Sequence, residues 1–184
     1  MNMKVIFLII IFMSFFESCV ISKKKYVSLE LEKENELIEE NLFESGKYYY
    51  FSSLNFNLDK NKTDIAINKF NQFIKKYPKS LKIKEVYKLL NDLLMKIERK
   101  NYYIANLYFI MHKYQTSLDY FQDFIKDFPE SNFKEKVLYK ICVSQYKLYK
   151  KKDFIKSYND YMKYFSYYKN NTKKLKILYK KLKN

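Results

Sequence analysis

One glycine, two prolines, one histidine, two cysteines and no tryptophan occur in the 184 residues, and Arg99 is the only arginine among 36 Lys and Arg. Each scarcity removes a class of function. A loop that cradles phosphate needs several glycines so that backbone N–H groups can converge on an anion, and Gly46 cannot build one alone. A multi-histidine metal site, or a nucleophile–histidine pair backed by a second histidine, needs more than His112. Two cysteines make no disulfide framework. Cys142 lies between Ile141 and Val143 and reads as a small buried hydrophobe. Pairs such as Glu39-Glu40 sit in a polar stretch with no apolar surroundings to shift their acidity, and read as solvated charge. The expectation is a protein without catalysis, cofactor or metal.

The formal net charge is +16, which suits a nucleic-acid binder only superficially. Arginine is the cation for bidentate phosphate and base contacts, and it is nearly missing. Lys, Asn, Ile, Tyr and Phe, all abundant, have codons made largely of A and T, so the lysine excess reads as coding bias on solvated faces. The charge is also uneven. Residues 26–45 hold seven Glu and one Lys, whereas residues 169–184 hold seven Lys and no acid.

The N-terminus is a targeting segment. Lys4 precedes an apolar run of 12 residues, Val5 to Phe16, followed by Glu17-Ser18-Cys19. A short cationic start, an apolar core and a small residue before the cut describe a secretory signal. The run is shorter than the ~17–25 residues of a spanning helix. Cys after a small residue predicts lipoprotein processing, with Cys19 as first mature residue and lipid attachment point. Phe16 and Glu17 depart from the usual residues three and two before the cysteine.

From Gly46 onward the pattern is helical, interrupted by Pro78 and Pro129. Each proline closes a similar segment, and a third copy lacks the proline. Stacked, they give a small-residue column (Ala66, Ser117, Ser157) and two aromatic columns (Phe70, Phe121, Tyr161; Phe73, Phe124, Tyr164). A last column is Tyr77, Phe128 and Tyr168. Spacings of four, three and four place each set on one helix face. Proline ends each helix because it lacks an N–H and clashes with the preceding turn. Preceding first helices are read at Tyr102–Met111, with Ala105 and Tyr108, and at Val137–Leu148. Small residue, aromatic, turn, small residue, aromatic, proline is the tetratricopeptide layout. The expected fold is therefore all-α: tetratricopeptide-like hairpins stacked as a short solenoid. Leu81 to Glu98 reads as a long linking helix, and Leu175 to Leu182 as a terminal cap, which stacked repeats need. The expected organisation is 1–18 signal peptide, 19–45 linker and acidic helical segment, 46–168 repeat domain, and 169–184 basic capping helix. Aromatics outside the columns, Tyr48, Tyr49, Tyr50 and Tyr103 among them, are candidates to line a groove, since tyrosine is favoured at interfaces.

The run from Asn101-Tyr102-Tyr103-Ile104-Ala105 through Phe128-Pro129-Glu130-Ser131 to Leu138-Tyr139, with Leu58-Asp59 to Ser80 and the Cys19 signal, resembles the BamD/YfiO family. These are the tetratricopeptide lipoproteins of the outer-membrane β-barrel assembly machine. The resemblance covers residues 46 to 168. It implies attachment to the periplasmic face of the outer membrane and a BamA-type barrel-forming partner, with no nucleic-acid or small-molecule substrate. Only 27 positions separate Cys19 from Gly46, too few for the family's first two repeats, so the resemblance is to the half that docks the partner. The alternative is another periplasmic tetratricopeptide lipoprotein acting in envelope or cell-wall organisation.

Overall fold

The computed structural model describes the backbone of residues 3–54 and 58–183, and side chains from Tyr26 onward apart from residues 28 and 183 and the gap at 55–57. Its described residues form seven α-helices and no strand: α1 Met3–Leu54, α2 Lys60–Lys76, α3 Ile83–Ile110, α4 Tyr114–Asp127, α5 Lys134–Lys147, α6 Lys151–Phe165 and α7 Lys169–Lys183. None of the described helices is long and apolar enough to cross a membrane. The architecture is an all-α, tetratricopeptide-like set of packed hairpins. The chain divides into two compact units, 1–93 and 94–184, with the division inside α3.

In the first unit, α1 and α2 form a hairpin. Asp59 caps α2 by accepting from Lys62 N at 3.0 Å, which satisfies an otherwise orphaned donor of the first turn. Ala66, Phe70 and Phe73 are fully buried on α2, with Val86 and Leu93 of α3. Phe43 of α1 meets Phe73 with ring centroids 5.9 Å apart, and Tyr50 meets Phe70 at 6.5 Å. The packed face of α1 thus begins upstream of the boundary expected at residue 46. Gly46 lies inside α1 rather than at its edge. A Cβ there would stand 2.8 Å from Phe70 Cε1, so the single glycine makes room for the ring of α2 against α1.

In the second unit, the C-terminal part of α3 pairs with α4, α5 with α6, and α7 covers the end. One core holds Tyr102, Ala105, Leu118, Phe121, Phe124, Val137 and Ile141. The next holds Cys142, Phe154, Tyr161 and Leu175. Two expectations need correction here. The linking helix and the Tyr102–Met111 helix are one continuous 28-residue helix, because no Gly or Pro lies between Leu81 and Met111 to break it. Leu81 itself is 99% exposed and lies before the helix.

Three hairpin turns carry non-glycine residues in the left-handed region: Leu58 (φ 60°), His112 (φ 59°) and Tyr149 (φ 59°). Glycine usually takes this place because it has no Cβ to clash. These turns also fix the register of the third hairpin. Lys113 N donates to Tyr108 O at 2.9 Å, and Lys150 N to Gln145 O at 2.9 Å. Matching those turns makes Phe154, not Ser157, the equivalent of Ser117. Phe154 is fully buried, Tyr161 takes the place of Phe124 rather than Phe121, and Tyr164 is 58% exposed. Ser157 is only half-buried. The third column set is therefore shifted by three residues, nearly one helical turn, which preserves the amphipathic face.

Candidate functional site

The first helices of the hairpins share a pattern that becomes visible only once they are superposed by their packing. Glu39, Phe43, Gly46 and Tyr50 in α1 correspond to Glu98, Tyr102, Ala105 and Phe109 in α3, and to Glu135, Tyr139, Cys142 and Tyr146 in α5. Each is carboxylate, aromatic, small residue, aromatic at spacings of four, three and four, one face of a helix. The small residue admits the second helix. At Ala105 the approach is close enough for buried Ser117 Oγ to donate to Ala105 O at 3.1 Å.

In the first two hairpins the carboxylate at the head of the pattern binds the chain where it leaves the second helix. Ser80 Oγ donates to Glu39 Oε1 at 2.5 Å, and Ser131 Oγ donates to Glu98 Oε1. The same hydroxyls accept from Lys82 N at 3.0 Å and Phe133 N at 2.9 Å, which starts the following helix. In the third hairpin buried Glu135 accepts from Tyr161 Oη at 2.5 Å and Asn171 Nδ2 at 2.9 Å. A carboxylate that accepts such bonds makes a charge-assisted contact, stronger than a neutral one. Both proline breaks end alike, with Tyr77 N bonded to Phe73 O at 2.8 Å and Phe128 N to Phe124 O at 2.9 Å. Pro78 and Pro129 follow these caps. Sequence reasoning missed the three glutamates. Their signal was there: each precedes the small residue by seven positions.

Lys140 of α5 is half-buried over aromatic faces. Its Nζ lies 5.1 Å from the Tyr102 ring centroid and 5.4 Å from that of Phe109. It donates to Tyr102 Oη at 3.2 Å and to Asn106 Oδ1. Burial, aided by the Lys136 charge, pulls its pKa below the usual lysine value. Cys142 is fully buried, and desolvation pushes its thiol up to about 12. A thiol so protonated is a packing group, not a nucleophile. His112 is exposed at its turn, with Nδ1 2.8 Å from Tyr114 Oη. Tyr108 stacks on Tyr120 at 5.3 Å. Cys19 lies outside the residues whose side chains are described.

The groove candidates divide. Tyr50 is a core residue whose Oη donates to Asp92 at 2.5 Å. Tyr48 and Tyr103 are well exposed, at 66% and 61%. On α3, Tyr103, Leu107 and Ile110 are all exposed at spacings of four and three, which makes an outward apolar stripe on one face.

Comparison with known proteins agrees with the repeat pattern. Residues 38–160 match the family described as YfiO, outer membrane lipoprotein. The match begins one residue before Glu39, where the packed face of α1 begins, and extends into α6. No curated protein matches the chain. With two-thirds of its length covered by that match, the chain belongs to the YfiO family of outer membrane lipoproteins.

Proposed function

We propose that the chain is a lipid-anchored scaffold of the outer-membrane β-barrel assembly machine, held through Cys19 at the periplasmic face and docking a BamA-type partner without turnover. The family match over the repeats carries this reading. Acyl chains on Cys19 contribute about 0.8 kcal/mol per buried CH₂, so more than one chain gives stable attachment. The exposed stripe Tyr103, Leu107 and Ile110 is of the kind a protein interface uses, with aromatic and aliphatic side chains on a rigid helix.

Mass spectrometry of the mature N-terminus in an envelope fraction, with BamA probed in the same co-purification, tests it. The expected result is acylated Cys19 and recovered BamA, with recovery lost in Tyr103→Ser/Leu107→Ser/Ile110→Ser. Acylated Cys19 without BamA would point to another envelope adaptor. An intact Met1 in a soluble fraction would remove the anchor.

A further inference from the structure

From Tyr161 to the C-terminal Asn184 the chain has eight lysines and no Asp or Glu. The helix α7 sorts them. Its inner face is fixed by buried Thr172 and Leu175, with Asn171 donating to Glu135. Lys169, Lys173, Lys176 and Lys180 follow at spacings of four, three and four, so all four lie on one narrow stripe about 16 Å long. They line an open groove of about 530 Å³ with Thr172 and Ile177. All four are exposed, and among the described residues none is in salt-bridge reach of a carboxylate. Like charges at these spacings oppose the helix rather than support it. Beside them, at the break between α6 and α7, Tyr164, Tyr167 and Tyr168 are exposed, Tyr167 by 68%.

We propose that this end of the chain makes a second, electrostatic contact with the membrane. The four lysines meet anionic phospholipid headgroups, and the three tyrosines sit at the headgroup level. Each lysine is a mobile point charge, attracted to a diffuse array of anionic headgroups. Tyrosine places an apolar ring and a polar hydroxyl on either side of a lipid–water boundary. The chain belongs to a family of outer membrane lipoproteins, which makes a lipid surface the occupant to test.

The chain has no tryptophan, so Tyr167→Trp in the full chain introduces a single indole at the contact. Its fluorescence is read against phosphatidylcholine vesicles with brominated acyl chains, with and without phosphatidylglycerol. The local probe matters because the apolar run Val5–Phe16 brings the chain to either vesicle. Quenching is expected only with phosphatidylglycerol. It is relieved near 1 M salt, where the screening length falls to about 3 Å. Occupancy weakens by roughly fivefold for each Lys→Gln among the four. No quenching, equal quenching by both lipids, or indifference to the four substitutions would overturn the proposal. So would capture of the stripe by a polyglutamate peptide with no response to phosphatidylglycerol, which would assign it to an acidic protein. Should the tryptophan variant misfold, hydrogen exchange on the unsubstituted chain serves instead, with slowing at 164–181 expected on adding phosphatidylglycerol vesicles. The vesicles supply the surface directly, so neither outcome depends on acylation of Cys19 or recovery of BamA.

Discussion

Ser131 and Glu98, 33 residues apart, share a hydrogen bond that ties the end of one hairpin to the middle of α3. The same hydroxyl accepts from Phe133 N, so one serine closes the proline break and helps open α5. A hydrogen bond to a charged group contributes about 1.5–3 kcal/mol when buried, and this half-buried pair belongs below that range. Ser131→Ala should cost about 1 kcal/mol and lower the melting temperature by about 2–4 °C. Adding Glu98→Gln to Ser131→Ala should cost less than the two separate losses together, as coupled groups do. Strict additivity in that double-mutant cycle would show that the pair contributes nothing.

Gly46 faces the ring of buried Phe70 with no room for a Cβ. Alanine would raise helix propensity by about 1 kcal/mol, while overpacking costs about 1–3 kcal/mol. Gly46→Ala should therefore be destabilising by about 1 kcal/mol, and Gly46→Val by more. In Phe70→Leu the penalty of Gly46→Ala should shrink. Denaturant midpoints with unchanged m-values would report both.

The register of the third hairpin is directly testable. Phe154 is fully buried and Tyr164 mostly exposed. Phe154→Ala should cost about 3–5 kcal/mol, and Tyr164→Ala no more than about 0.5 kcal/mol. The reverse order in thermal melts would restore the unshifted alignment.

Tyr149 occupies a left-handed turn position with its side chain almost wholly exposed. A side chain there costs about 1–2 kcal/mol, and the extra freedom that glycine gives the unfolded chain removes part of the gain. Tyr149→Gly should stabilise by about 0.5–1 kcal/mol. A lower melting temperature would mean that the ring contributes to packing.

Alkaline pH should weaken the fold. Burial raises the Cys142 thiol to about 12 from its ordinary 9.0, and burial raises the Tyr161, Tyr102 and Tyr139 phenols as well. A group whose folded pKa is raised contributes stability that is fully present below its unfolded pKa. That contribution is lost as pH rises through the folded value. The loss should therefore begin near pH 9 and deepen above pH 10. Lys140, lowered by burial, runs the other way: its penalty as a desolvated cation is relieved above its pKa, offsetting part of the loss. Cys142→Ala should flatten the stability curve between pH 9 and 10. A slope unchanged by that substitution would show that the thiol ionises freely in the native state.

The sequence by itself determined the all-helical class and the family. Pro78 and Pro129 cannot continue a helix, the apolar periodicity is 3.6, and the small-then-aromatic order recurs, so hairpins follow from local rules. It also placed Ala66, Phe70, Phe73, Ser117, Phe121 and Phe124 on buried faces, which they occupy. Tertiary structure alone decided what depends on distant partners. Glu39, Glu98 and Glu135 look like solvated charge until Ser80, Ser131 and Tyr161 are brought to them across 41, 33 and 26 residues. Periodicity alone puts the third register three residues out of place, because a helix face repeats about every turn. The turn at Tyr149 corrects it. Gly46, read as the edge of a domain, is a point of helix contact because Phe70 arrives from another helix to fill the space.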